Sequence, residues 1–144
     1  MSSKKEHVRA GVVLAACTAV AVYALIHDLL SALVIAAGSF LGSSLPDQLE
    51  IAWHTGGGVK RGWFTLHYAE GVRHSLIPHR TITHWFVLWC AVMGLVLWQT
   101  FDEPTYINLF FLGLVMSGWI HVLMDSQTPM GVPLIHPWRR TRGR

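Results

Sequence analysis

The sequence predicts an all-α, multi-pass membrane protein that forms a single domain over residues 1–144. We expect four transmembrane helices, with an interfacial linker between the second and the third. The composition supports this class, because 52% of the residues are hydrophobic and only 13% are charged. A soluble domain has about 45–50% apolar and about 25% charged residues. Four apolar runs without Asp, Glu, Lys or Arg supply the helices, and they cover residues 10–26, 29–45, 85–101 and 106–124.

The first two runs predict a helical hairpin that stays in the membrane. Only His27 and Asp28 separate them, whereas a cleaved signal peptide is followed by a cleavage site and a polar mature chain. Each run has 17 residues, near the lower limit of the roughly 17–25 that cross a bilayer, so we expect short, nearly upright helices. Pro46 is expected to push Leu45 out of the helical conformation and so to end the second helix. Asp47 should then lie just beyond that end, at the membrane surface.

The linker between the second and third helices covers residues 48–78. It mixes basic residues with Trp, Phe and Tyr, a composition typical of segments that lie in the headgroup region and contact membrane lipids. Nucleic acid is not an expected partner, because the segment has no helix-turn-helix, zinc-finger or RNA-binding motif and the net charge is only +3.

Histidines and aspartates near the helix ends predict a metal site. His121 and Asp125 are four residues apart on the fourth helix, so they lie on one face and can bind one cation. The simpler alternative is a hydrogen-bonded pair that closes the helix. His79 and His84 can reach the same site only if the third helix begins between them, and Thr81 is a suitable N-cap for such a start.

Alternating helix directions bring six candidate ligands to one side of the membrane. Their imidazoles and carboxylates, without thiolates, suit Zn²⁺ and also Mn²⁺ or Fe²⁺. We therefore expect a divalent metal, most readily Zn²⁺, and six ligands could hold one or two ions. The candidate ligands are His7, Asp47, His79, His84, His121 and Asp125.

The basic residues predict which side of the membrane the candidate ligands face. All eleven Lys and Arg residues lie on the ligand side of the four runs, and the opposite turns have none. By the positive-inside rule, both termini and the site should face the cytoplasm.

The candidate ligands lie in three motifs: Leu45-Pro46-Asp47, His79-Arg80-x-x-Thr83-His84, and His121-x-x-x-Asp125-x-x-Thr128-Pro129-x-Gly131-Val132-Pro133. In this order, between four apolar runs, they resemble the YdjM-like family of inner-membrane, predicted metal-dependent hydrolases. The resemblance covers nearly the whole chain, and it implies a His and Asp pattern similar to that of zinc-dependent phospholipases C and P1-type nucleases. Where the family often has a second acid after Leu-Pro-Asp, this chain has Leu49, and the adjacent Glu50 is a candidate replacement. Trp85 stands where a Ser usually follows Thr-His.

The function we predict is that of a phosphoesterase acting on a lipid or membrane-proximal phosphoester through metal-activated water. A bound cation lowers the pKa of its water towards ~7 and polarises a phosphoryl oxygen. Arg80 is suited to bidentate contact with phosphate, and a helix N-terminus after Thr81 would attract the same anion. Arg80 and Asp47 are the predicted catalytic residues, and a phospholipid-type molecule is the predicted substrate. The alternative is a non-catalytic scaffold or regulator, in which a metal with filled coordination only holds the helices together. The oligomeric state does not follow from the sequence.

The segment after the fourth helix predicts a rigid turn. Proline and glycine are closely spaced over residues 128–133, so we expect the basic tail, residues 139–144, to fold back towards the site. His136 would then lie near the metal without binding it.

Overall fold

The computed structural model describes residues 4–49, 52–55, 58–61, 64–65, 72–75, 81–128 and 131–137, with side chains for residues 6–49, 81–128 and 131–137. Within these residues the chain forms α-helices, a short 3-10 helix and a small sheet. In chain order the elements are α1 (Lys4–Ile26), α2 (Leu29–Gly42), α3 (Leu45–Gln48), β1 (Ala52–Thr55), β2 (Gly58–Arg61), β3 (Phe64–Thr65), β4 (Val72–Ser75), the 3-10 helix η1 (Ile82–His84), α4 (Phe86–Asp102) and α5 (Tyr106–Ser126).

Each of the four predicted apolar runs forms a helix, but the helices differ in length. Glu6–Ile26 and Tyr106–Ser126 are long and apolar enough to cross a membrane. The 14 residues of α2 and the 17 residues of α4 are shorter. At a rise of about 1.5 Å per residue they extend about 21 Å and 25 Å, against a hydrocarbon core of about 30 Å. The part of the chain that the structure describes therefore contains two candidate spans and two shorter apolar helices.

The turn between α1 and α2 forms the predicted hairpin. His27 adopts the left-handed conformation, with a φ of 57°, and its N–H donates to the Tyr23 carbonyl over 2.9 Å. Asp28 then caps α2, because its carboxylate accepts hydrogen bonds from the N–H groups of Leu30 and Ser31. Such a cap satisfies helix N–H groups that would otherwise lack partners. Two residues are thus enough to reverse the chain.

The end of α2 differs from the prediction. This helix stops at Gly42, and Leu45 is not excluded from helical structure but begins the separate one-turn helix α3. Pro46 lies in the first turn of α3, where its missing N–H costs nothing because the first N–H groups of a helix have no intrahelical acceptor. Asp47 consequently lies inside α3 rather than in a loop beyond α2.

The linker contains a four-stranded antiparallel sheet with strand order β3-β2-β1-β4. In its register, Trp53 of β1 pairs with Val59 of β2 on one side and with His74 of β4 on the other. The all-α class is therefore confirmed for the apolar part of the chain and is incomplete for the linker. A sequence signal was present, because only Gly56 and Gly57 separate β1 from β2, and a Gly-Gly pair between two strand-like runs is typical of a hairpin.

Helices α1, α2, α4 and α5 alternate in direction along the chain. Along α2, Gly38 approaches the carbonyl of Phe110 and Gly42 that of Leu114, so α2 and α5 run the same way. In contrast, α1 opposes α2, because its Gly11 contacts Ser43 while its Thr18 bonds Ser39 over 3.2 Å. The α4 helix likewise opposes α5, since Trp89 reaches Gly118 and Thr100 reaches Asn108. The ends that carry the candidate ligands therefore lie together.

Close backbone contact holds α2 against α5. A Cβ added at Gly38 or Gly42 would collide with the Phe110 or Leu114 carbonyl oxygen, and one added at Gly113 would collide with the Ile35 carbonyl oxygen. Small residues that let helix backbones approach this closely are typical of helix pairs in membranes, where no hydrophobic force drives one helix onto another.

The outer surface of the helices is apolar. Leu25 is 81% exposed and Phe101 is 84% exposed, and many other large apolar side chains point outwards. The buried apolar cluster is small and lies where α4, α5 and the segment after α5 meet; it consists of Trp89, Val115, Val122 and Val132. Apolar side chains on the outside with small residues inside fit helices that are surrounded by lipid.

Candidate metal centre

Four side chains from three elements converge at one end of the helices. Asp47 comes from α3, His84 from η1, and His121 and Asp125 from the last turns of α5. Each offers one nitrogen or oxygen atom, and the four atoms all lie within 4.8 Å of one another. His84, His121 and Asp125 are buried, whereas the Asp47 side chain is 28% exposed. The group therefore opens to its surroundings at Asp47.

The spacing of these atoms fits ligands around one cation better than direct hydrogen bonds. His84 Nε2 lies 3.4 Å from both Asp47 Oδ1 and Asp125 Oδ2. His121 Nε2 lies 3.6 Å from Asp47 Oδ1 and 3.7 Å from Asp125 Oδ2. Charge-assisted hydrogen bonds are shorter, at about 2.7–2.9 Å. Ligands at the corners of a tetrahedron with bonds of about 2.0–2.1 Å are instead about 3.3–3.4 Å apart.

The hydrogen bonding of His121 also favours a cation in this cluster. Its Nδ1 lies 2.6 Å from the Ser43 carbonyl oxygen, and a carbonyl can only accept, so Nδ1 carries the proton. In the neutral ring Nε2 then presents a lone pair, although it faces two carboxylate oxygens, which are also acceptors. This buried Nε2 makes no hydrogen bond among the described residues. A cation between the lone pairs would remove the repulsion, and histidines that bind metals usually donate their other N–H in this way.

The two groups of the cluster that lie outside the apolar helices have shifted pKa values. Burial raises the pKa of Asp47, but the neighbouring His121 and His84 rings outweigh burial and hold that pKa below its ordinary value. Burial lowers the pKa of His84, but the Asp125 and Asp47 carboxylates outweigh it and raise that pKa. The raised pKa of His84 favours a proton on its ring, beside the carboxylates between which a cation would bind. Metal and proton should compete for this place.

His7 of α1 adjoins the cluster from the other side of Asp125. Its Nε2 lies 3.3 Å from Asp125 Oδ1, whereas Oδ2 of the same carboxylate faces His84 and His121. The His7 ring also stacks on the His121 ring, with centroids 3.9 Å apart and an interplanar angle of 17°. His7 is thus brought to the site, as the topology predicted, but it lies outside the group of four. Its role as a metal ligand stays a prediction.

Comparison with known proteins decides the family. The model of a family described as YdjM inner membrane protein matches residues 1–144. The chain belongs to this family. No curated protein and no solved structure matches it. The predicted resemblance is therefore confirmed for the YdjM family and the inner membrane, while the metal-dependent hydrolase activity stays a prediction.

Three predicted site residues of this YdjM family protein lie outside the described residues. They are Glu50, the candidate second acid, His79, a candidate ligand, and Arg80, the candidate phosphate contact.

The start of α4 differs from the prediction. Thr81 precedes η1 rather than α4, and its side chain makes no capping hydrogen bond there. Instead α4 begins at Phe86 with Trp85 as its N-cap, so His84 lies before the helix and not in its first turn. The Phe86 N–H donates to the Pro133 carbonyl oxygen over 3.0 Å. This contact uses one of the N–H groups that we expected to attract phosphate.

The predicted turn after α5 is present at its described residues. The Gly131 N–H donates to the Thr128 carbonyl over 2.9 Å, and Gly131 has a φ of 61°, which a glycine adopts without strain. Beyond it, the Ile135 carbonyl accepts a hydrogen bond of 2.9 Å from Trp85 Nε1. The chain therefore returns to the start of α4. His136 is exposed, and the basic tail, residues 139–144, lies outside the described residues.

Sequence reasoning missed the contribution of Ser43. Its backbone carbonyl, not its side chain, accepts the hydrogen bond from His121 Nδ1. The last carbonyls of a helix have no intrahelical partner, so the position of Pro46 just after the second apolar run could have indicated free acceptors near Asp47. Nothing in the sequence would have shown which side chain uses them.

Proposed function

We propose that this YdjM family protein is a membrane-bound, metal-dependent phosphoesterase that acts on a lipid or membrane-proximal phosphoester. The observation that carries the proposal is the buried Nε2 of His121, which lies 3.6 Å from Asp47 Oδ1 and 3.7 Å from Asp125 Oδ2. Nδ1 of the same ring lies 2.6 Å from the Ser43 carbonyl oxygen. Such an arrangement is stable when a cation lies between the groups. Two imidazoles and two carboxylates suit Zn²⁺ best and would also accept Mn²⁺ or Fe²⁺.

The residues would have different roles in this proposal. His84, His121 and Asp125 are buried and would hold the ion, while Asp47 lies at the exposed side where a substrate arrives. A bound ion would supply an activated water and would polarise the phosphoryl oxygen. Arg80 is close to His84 in sequence, and its guanidinium would bind two phosphoryl oxygens at once. His79 and His7 are the further ligands that a second ion would use.

The alternative function is a metal-stabilised scaffold or regulator. Four protein donors are as many as a tetrahedral ion would take, and closed coordination by protein alone is typical of structural zinc sites. The three elements that supply these donors would then be fixed to one another by the ion. The two functions differ in whether the ion keeps a position for water or substrate.

The experiment that tests the proposal measures metal content and phosphoester hydrolysis on the same detergent-purified protein. We expect at least one Zn²⁺ per chain, and hydrolysis of bis-p-nitrophenyl phosphate or phospholipid that a chelator abolishes and Zn²⁺ restores. Stoichiometric metal with no hydrolysis, and with a Co²⁺ spectrum that phosphate leaves unchanged, would favour the scaffold. Protein that contains no metal and gains none from Zn²⁺ or Mn²⁺ would contradict both functions.

We further propose four spans, with both termini and the site in the cytoplasm. The alternating helix directions and the absence of Lys and Arg from the turns at residues 27–28 and 102–105 support this orientation. A reporter that works only in the cytoplasm should be active after Arg144, and one that works only in the periplasm should be active near Asp102. A C-terminus in the periplasm would contradict the orientation. Reporters active on the same side at both positions would contradict a span by α5, the helix that lies between residue 102 and Arg144.

A further inference from the structure

The break between α2 and α3 gives the Ser43 carbonyl an unusual partner. In an uninterrupted helix this carbonyl would accept from the N–H of residue 47. Here α2 ends at Gly42, α3 begins at Leu45, and the Ser43 carbonyl oxygen accepts from His121 Nδ1 over 2.6 Å. The bond fixes both the tautomer and the direction of the His121 ring. The position of the Ser43 backbone therefore decides where Nε2 points.

Helix α1 packs directly on Ser43. A Cβ added at Gly11 would overlap Ser43 Cβ and would lie 2.6 Å from Ser43 Oγ. His7 is one turn earlier on the same face of α1, and its ring stacks on His121. This face of α1 thus touches both the side chain of Ser43, the residue whose carbonyl orients the His121 ring, and the ring itself.

We infer that the contact between Gly11 and Ser43 positions His121 for metal binding, so that Gly11 and Ser43 are positioning residues of the site. The inference rests on the proposed metal site and adds that α1 must lie at this exact distance for the site to have full affinity. Carbon atoms in ordinary contact are about 3.5–4.0 Å apart, so an alanine at position 11 should displace Ser43 or α1 by on the order of 1 Å. Loss of a group that orients a metal ligand typically costs about 10–100-fold in metal affinity.

The test compares Gly11→Ala with a variant that restores the space. Gly11→Ala should weaken Zn²⁺ binding about 10-fold or more, measured against a chelator of known affinity, and should change the visible spectrum of the Co²⁺-loaded protein. In the double variant Gly11→Ala/Ser43→Gly the residue at 43 has neither Cβ nor Oγ to overlap, and its carbonyl is retained. Affinity and spectrum should therefore return towards those of the unmodified protein.

Two control variants belong to this experiment. Gly94→Ala adds the same methyl group to α4, where nothing lies within 4 Å of it, and should leave affinity and spectrum unchanged. Ser43→Gly alone removes the hydrogen bond of 2.7 Å from Ser43 Oγ to the Phe40 carbonyl and supplies the second reference, so that the double variant should bind Zn²⁺ no more weakly than this single variant does.

Each remaining outcome has a definite meaning. Gly11→Ala with unchanged affinity and spectrum would overturn the inference, even if its unfolding temperature fell, because the contact would then serve packing alone. Weak binding that the double variant does not restore would also overturn it. An unmodified protein that binds no metal would instead reject the proposed metal site, so the two failures are distinguishable.

Discussion

Replacing Asp125 with asparagine is expected to remove stoichiometric metal from the purified protein. Asp125 is 1% exposed, and its Oδ2 faces both His84 and His121. Asparagine keeps the shape but removes the negative charge that would balance the cation. Loss of a direct ligand should cost more than the roughly 10–100-fold that an outer contact costs. Zn²⁺ content after dialysis and Zn²⁺ affinity by chelator competition measure the effect, and any phosphoester hydrolysis should be lost with the metal.

A matched control separates this effect from a general loss of negative charge. Asp102→Asn makes the same change at an exposed residue in the last turn of α4, away from the cluster, and should retain full metal content. If His121 and Asp125 only form a hydrogen-bonded pair, Asp125→Asn should leave the metal content unchanged and lower the unfolding temperature modestly. Full metal content in Asp125→Asn would therefore contradict its role as a ligand.

The convergence of the site could be predicted because it depends on helix order alone. His121 and Asp125 are four residues apart on a helix, which places both on one face whatever the tertiary structure. Alternating helices then bring Asp47 and His84 to the same end, and this needs only the positions of the apolar runs. The spacing of the donor atoms depends on α3 and η1, which are each about one turn long. Such short elements are set by tertiary contacts and not by local propensity.

The parts that the sequence did not predict share a cause. Pro46 was expected to end a helix, yet it lies in the first turn of one, because proline is compatible with the first turn of a helix as well as with the residue after one. Thr81 has the chemistry of an N-cap, but Trp85 occupies that place in α4, where the chain returning after α5 supplies the Pro133 carbonyl for the Phe86 N–H. Residues of this kind are each compatible with two local structures. Only the contacts that form in the folded protein select one of them.

For the glycines of α2, too, the sequence predicts only part of what the structure shows. Gly38 and Gly42 are spaced as in the Gly-x-x-x-Gly pattern of membrane helix contacts, so a close helix contact was readable from the sequence. The partner was not, because α1, α4 and α5 all contain small residues. The structure assigns the contact to α5, at the carbonyl oxygens of Phe110 and Leu114.

Replacing Gly42 with valine is expected to destabilise the protein strongly. A Cβ at position 42 would overlap the Leu114 carbonyl oxygen and crowd Leu114 Cα, and backbone atoms inside a helix cannot rotate away as a side chain can. The two helices must separate, which should lower the free energy of unfolding by about 3 kcal/mol or more. Thermal unfolding of the detergent-solubilised protein, followed by circular dichroism, measures the loss.

Gly94→Val makes the same substitution in the apolar helix α4, where an added Cβ has nothing within 4 Å. This substitution should lower the free energy of unfolding by less than about 1 kcal/mol. Valine gains helix propensity over glycine, and only the stiffness of a β-branched side chain in a helix opposes that gain. Both variants replace a glycine with a valine in an apolar helix, so a difference between their stabilities reports the contact with α5. Because Ser43 follows Gly42 directly and orients His121, Gly42→Val should also weaken metal binding, while Gly94→Val should not. Equal unfolding temperatures for the two variants would show that close α2–α5 contact is not what holds these helices together.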